Sequence, residues 1–157
     1  MSDPRHSART LALQYLFTDS FKSKSALPDA DFFEIDDLKE IDEVKKYDKA
    51  LFDKIVAGTR EHKEAIDTII SKYASERPIN EIAKTDIEIL RIAILEGFIL
   101  KLTPPKVAAD EAIELAKEFR AHLKFLAEWA SFSMIRSKQD SVSDLSRLKL
   151  QVSGLKP

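Results

Sequence analysis

The sequence predicts an all-α fold, a bundle of about seven helices, and three observations carry that prediction. Three glycines and six prolines in 157 residues leave little material for the turns of a β architecture. Apolar residues recur at spacings of three and four along most of the chain, the period of a helix that buries one face. One segment, residues 87–102, is apolar nearly all round, which places it in the middle of a bundle. With 44% hydrophobic and 33% charged residues the chain is of the soluble globular class, and at this length folding buries roughly 70% of the surface of the unfolded chain.

Asp3 or Ser2 caps the first helix and Pro4 takes its first position, where a missing N–H costs nothing. Ala8, Leu11, Ala12, Tyr15 and Leu16 form its buried stripe, with Arg5, His6 and Arg9 mostly off it, either as a solvated basic face or as a contact to phosphate. Residues 20–42 are polar, with Phe32, Phe33, Ile35, Leu38 and Ile41 enough for one short docking helix. A long helix is expected over residues 43–73, with Gly58 in its middle as a site of close packing against a neighbour. Thr85 and Asp86 start the central apolar helix. Pro104 and Pro105 close it and begin the next, whose apolar face is Ala108, Ala112, Leu115, Ala116 and Phe119, with Asp110, Glu111 and Glu114 in its early turns, where negative charge suits the helix dipole. A last helix over residues 121–136 carries Leu123, Leu126, Trp129 and Ala130. Residues 1–140 are thus expected to form one domain, with subdomains of about 1–76 and 77–140, and residues 141–157 a mobile tail.

Composition excludes several functions. Without cysteine there is no disulfide framework, thiolate metal site or thiol nucleophile. The polar start MSDPRHSART has no apolar signal core, and no run is long and apolar enough to span a membrane, so a cytoplasmic protein is expected. The net charge of -2 provides no general attraction for nucleic acid, and any RNA contact must be a local patch. Between Asp29 and Glu43 eight acidic residues face one lysine, whereas from Arg136 onward five basic residues face two acidic ones.

Catalytic chemistry finds no foothold. His6, His62 and His122 lie far apart and none belongs to an HExxH-type pair, so neither a metal site nor a cofactor is expected. Asp110 and Glu111 are neighbours on a helix and point about 100° apart, which does not converge an acid and a base. There is no GxGxxG, Walker A or GxSxG pattern. A chain that is not an enzyme is expected, and Phe125 and Trp129 read as core residues before they read as a base-stacking platform.

Four stretches taken together resemble the NusB family of bacterial transcription antitermination factors: RHSARTLALQYLF, YDKALFDKIVAGTREHKEAIDTIISKY, KTDIEILRIAILE and PPKVAADEAIELAKEF, in that order over roughly residues 4–136. The last is the most specific, with Asp110 where the family usually has asparagine. The resemblance implies a NusB-like bundle in two helical subdomains. It also implies a role: pairing with NusE, the ribosomal protein, to bind single-stranded boxA RNA, and helping the RNA polymerase elongation complex resist termination on ribosomal RNA operons.

Residue by residue, the family's arginine-rich RNA-binding motif stands here as Arg5, His6, Ser7, Ala8 and Arg9, with one arginine position taken by histidine. Gln14 and Phe17 match a glutamine and a tyrosine on the same helix, and Tyr73 matches the tyrosine that borders the RNA surface. Lys124 and Phe125 match the pair that begins the family's last helix, Lys124 toward RNA and Phe125 toward the ribosomal protein. Asp86 matches an acidic position used toward that partner. From Phe125 to Ala130 the chain departs from the family pattern F-V-N-G-V-L, with a shorter preceding loop. A second reading is therefore a NusB-like protein-interaction module that has lost specific RNA binding. A third, the substrate-binding domain of an RNA cytosine methyltransferase, requires a catalytic domain outside these residues.

Overall fold

Asp3 and Pro4 do what their positions predict. The Arg5 amide donates to Asp3 Oδ1 at 3.1 Å and the Ser7 amide to Asp3 O at 2.9 Å, so Asp3 is the N-cap of helix α1, Pro4–Lys22. The computed structural model of the chain describes residues 3–22, 46–73, 77–119 and 121, and every regular element among them is helical. After α1 come α2, Lys49–Glu61, α3, Lys63–Tyr73, a 3₁₀ turn at Ile79–Glu81, α4, Lys84–Ile94, a π-turn at Leu95–Ile99 and α5, Pro105–Glu118. The chain divides into two compact units, Met1–Ala57 and Gly58–Pro157. The docking segment expected over residues 20–42, the last helix with Trp129, and the tail over residues 141–157 lie largely or wholly outside the described residues.

In the first unit, α1 is buried far beyond one stripe. Residues 7–13 are all buried, and Leu16 with them, while Tyr15 is half-buried and meets Phe52 of α2 edge to face at 6.1 Å between ring centres. Tyr47 approaches the same ring at 5.8 Å. The sequence reading started α2 too early. It begins at Lys49 because Asp48 is its cap, accepting the Leu51 amide on Oδ1 at 3.0 Å. The Asp48 amide in turn donates to Pro4 O at 2.9 Å, which ties the start of α2 to the first turn of α1.

The expected single long helix is two, α2 and α3, interrupted at His62. The hydrogen-bond ladder nevertheless runs through the break, from the His62 amide to Gly58 O and from the Ile66 amide to His62 O, each at 2.9 Å. Gly58 is where α2 comes closest to the π-turn. A Cβ there would lie 3.0 Å from both Leu95 methyls and 3.1 Å from a Leu100 methyl. The close-packing reason for this glycine therefore holds.

Helix α4 starts one residue before Thr85, with Ala83 as an N-cap that makes no side-chain hydrogen bond, and Asp86 falls in its first turn. It is buried on every side across residues 86–94, as its apolar pattern predicts. It does not continue as an α-helix to residue 102. At Leu95 it widens into the π-turn, where the Leu100 amide reaches back five residues to Leu95 O at 2.8 Å. The ending is widened in the same way. Lys101 adopts φ 52°, and the Leu102 amide returns six residues to Glu96 O at 2.8 Å. Gly97 permits the approach of α5: a Cβ on it would lie 3.1 Å from Ala108 Cβ and 3.3 Å from Pro105 Cα. The face of α5 that packs is Ala108, Ala109, Ala112, Leu115 and Ala116, close to the expected stripe, and Phe119 is half-buried.

A helix buried all round must satisfy its own charges. Arg91 of α4 donates from Nε and Nη2 to the two oxygens of Asp67 on α3, at 2.8 and 2.9 Å, and from Nη1 to Glu88 Oε1 at 2.6 Å. This is the planar fork used in full, two bonds to one carboxylate and a third to another. Burial lowers the Arg91 pKa, but the Asp67 hydrogen bonds and the Glu88 and Asp67 charges more than reverse it, and the guanidinium ends above its ordinary value. Burial raises Glu88, and this outweighs the pull of Arg91 and of Lys63, with the Asp67 charge adding to the rise.

Two predictions follow from the helix junction and one from the charge cluster. Gly97→Ala forces a methyl against a neighbouring Cβ and a backbone atom, and a loss of about 1–3 kcal/mol in chemical denaturation is expected. Lys101→Gly removes the cost of a left-handed residue with a Cβ and gains about 1 kcal/mol in the same measurement. Because the folded pKa of Glu88 lies above its ordinary 4.5, its stabilising contribution is complete below that pH and fades as pH rises through the folded value. Glu88→Gln keeps an oxygen for Arg91 and does not titrate. The melting temperature of this variant minus that of the parent should therefore climb between pH 4.5 and pH 7, and a difference that is flat or falls contradicts the assignment.

Candidate nucleic-acid interface

A surface that binds phosphate needs cations that reach water, and α1 offers them at one place. Pro4 and Arg5 are exposed and His6 is half-buried, after which residues 7–13 are buried without exception. The first turn is thus the open end of a helix whose next two turns are enclosed. Its geometry is set from both sides, by the Asp3 cap and by the bond from the Asp48 amide to Pro4 O. Two carboxylates beside it, Asp3 and Asp48, each accept an amide of their own helix.

The expectation of a basic face formed by Arg5, His6 and Arg9 needs a correction. Arg9 is only 2% exposed and ranks among the largest fully buried side chains. The physical reason is that α1 has no solvated face at that level; periodicity marks an apolar stripe but assumes that the rest of the helix meets water. Arg5 and Arg9 are one turn apart on the same side of α1, one outside and one inside.

The bond between Asp48 and Pro4 also brings in Lys46, which no sequence motif marks, and Tyr47. Lys46 is exposed and Tyr47 half-buried, two residues and one residue before the anchored Asp48, so both stand beside the first turn of α1. Lys49 is exposed as well, but its ammonium pairs with Asp53 at 2.7 Å. The only sequence signal for Lys46 would have been a basic residue just ahead of a helix cap, which is far too common to single out.

The remaining expected residues are placed as follows. Gln14 and Phe17, further along α1, are half-buried. Tyr73 is the last residue of α3 and Asp86 lies in the first turn of α4, both in the second unit. Asp86 is 3% exposed. Lys124 and Phe125 lie outside the described residues. Asp110 is exposed and Glu111 half-buried on successive positions of α5. Among the described residues, no group of three His, Asp or Glu side chains is arranged to hold a metal ion, and no helix is long and apolar enough to cross a membrane.

Comparison with known proteins converges on one family. A model of the NusB family matches residues 6–124. The chain is 40% identical over 124 residues to the transcription antitermination protein NusB of Lactiplantibacillus plantarum, an alignment covering 76% of this chain and 84% of that protein. It is 35% identical over 131 residues to the protein of the same name from Clostridium acetobutylicum, covering 83% and 88%. A third relative of that name, from Coxiella burnetii, is 37% identical over 120 residues, covering 74% and 80%.

Proposed function

Since the chain belongs to the NusB family, we propose that it is a transcription antitermination factor whose RNA-facing element is the first turn of α1. In this reading it binds boxA-type single-stranded RNA together with the ribosomal protein NusE and modulates RNA polymerase elongation on ribosomal RNA operons. The complete fold is a seven-helix NusB-like bundle in two subdomains. The observation that carries the reading is the exposed Arg5 and half-exposed His6 at the open end of a helix whose next seven residues are buried, with the exposed Lys46 two residues before the Asp48 that is bonded to Pro4 O.

Such a patch suits a partner-dependent RNA binder. Each phosphate neutralised on a single strand contributes about 0.7 to the salt slope of binding, so two or three cations give limited affinity by themselves. A second protein that supplies further contacts raises the affinity of the pair without any change in this surface. Sequence preference then comes from splayed bases, read by edge contacts and stacking. The family resemblance further assigns RNA contacts to Gln14, Tyr73 and Lys124 and a NusE contact to Phe125. The resemblance also assigns Asp86, 3% exposed in the first turn of α4, to that partner.

The test is fluorescence anisotropy of a labelled boxA-type RNA, with this protein alone and with NusE, across a range of salt concentrations. Binding should be salt-sensitive, stronger with NusE, and lost on scrambling the RNA; Arg5→Ala should lower the slope of log K against log salt by about 0.7 while leaving the melting temperature unchanged. Equal affinity for boxA and scrambled RNA in both conditions would sink the proposal and favour a NusB-like module whose ligand is protein.

A further inference from the structure

We infer that Arg9 is a positioning residue, an internal strut beneath the first turn of α1 that holds Arg5 toward the RNA while making no phosphate contact itself. The inference rests on the proposed reading of that turn as the RNA surface and divides its basic residues into two roles. Sequence alone makes Arg5 and Arg9 equivalent members of one motif. The structure separates them by exposure: Arg5 is open to water, and Arg9 is 2% exposed.

Three features give the buried arginine this task. Arg9 is fully buried and engaged within the chain. To reach a phosphate its side chain would have to leave that buried position, a cost that an exposed arginine does not meet. Next, side chains on a helix lean toward its N-terminus, so Arg9 lies along the turn that carries Arg5, four residues earlier on the same face. Finally, that turn is held at its edges by the Asp3 cap and by the Asp48 amide on Pro4 O, which leaves Arg9 placed beneath it. A guanidinium, with its rigid fork of donors, sets the level of the turn in a way that a single point charge cannot.

The two roles differ in how mutations combine. A phosphate contact adds its own increment to the salt slope. A strut acts only through the residue it positions, so removing both costs no more than removing one. Arg9→Met keeps much of the buried volume, and Arg9→Lys keeps the charge without the fork. Binding of boxA-type RNA in the presence of NusE would be measured against salt for the parent, Arg5→Ala, Arg9→Met, Arg9→Lys and Arg5→Ala with Arg9→Met, at a temperature where circular dichroism shows each variant folded.

The expected result is that Arg5→Ala and Arg9→Met each lower the slope by about 0.7, that the double variant lowers it by the same amount, and that Arg9→Lys does not restore it. A double variant that loses about 1.4, or an Arg9→Lys protein with the parent's slope, would make Arg9 a phosphate contact and overturn the inference. So would an Arg9→Met protein with the parent's slope and affinity and only a lower melting temperature, which would leave Arg9 a core residue unrelated to binding. If Arg9→Met does not fold, Arg9→Lys decides alone: a lowered slope supports the strut and the parent's slope refutes it. Failure of the underlying reading looks different, because then Arg5→Ala itself changes neither slope nor affinity.

Discussion

In the second unit the guanidinium of Arg91 meets Asp67 with two N–H bonds and Glu88 with a third, inside a helix whose residues 86–94 are all buried. That arrangement answers a constraint met again in the first unit, where residues 7–13 of α1 are buried and include Arg9. A helix enclosed on every side can place a charge only against an internal partner, since an unpaired buried ion costs several kcal/mol and a paired one roughly breaks even. The apolar residues of α1 and α4 drive their burial. In α4 the charged Arg91 fixes how the helix is rotated and at what level it sits, because a fork of hydrogen bonds tolerates less displacement than a contact between methyl groups.

The proposed RNA-facing surface is subject to the same constraint. With residues 7–13 enclosed, the exposed residues of α1, among those described, lie in its first turn, which is anchored from beside. The Asp48 cap of α2 contributes twice, accepting the Leu51 amide through its side chain and donating its own amide to Pro4 O. One residue thus starts a helix and anchors the neighbouring one. A small basic site built in this way has defined geometry and little total charge, in keeping with a net charge of -2 and with a family whose named members act in transcription antitermination.

Much of this was legible in the sequence where local chemistry decides. Asp3 before Pro4, and the paired Pro104 and Pro105, mark helix starts that the structure reproduces, and the small-residue face of α5 lies where its spacing puts it. The all-helical class holds throughout the described residues. What stayed hidden depends on packing over distance. The π-turn after Ile94 leaves no mark on hydrophobic period, since one extra residue per turn hardly shifts an apolar stripe in a segment apolar all round; Gly97 was its one local trace. The break at His62 has no proline or glycine to announce it. Arg9 looked like a surface residue because a charged residue off the stripe is usually solvated, and only the enclosure of α1 reverses that expectation. Lys46 was out of reach for a different reason: the bond from the Asp48 amide to Pro4 O, which brings its segment to the first turn of α1, joins stretches remote in sequence.

The central claim is that the open first turn of α1 is the surface that meets RNA. Photo-crosslinking tests it most directly: boxA-type RNA carrying a photoreactive base, bound to the protein with NusE, irradiated, digested and mapped by mass spectrometry. The account predicts crosslinks on the peptides containing Arg5 and His6 and on that containing Lys46 and Tyr47, abolished by excess unlabelled boxA RNA. Specific crosslinks confined to other peptides, with neither of these two marked, would contradict it.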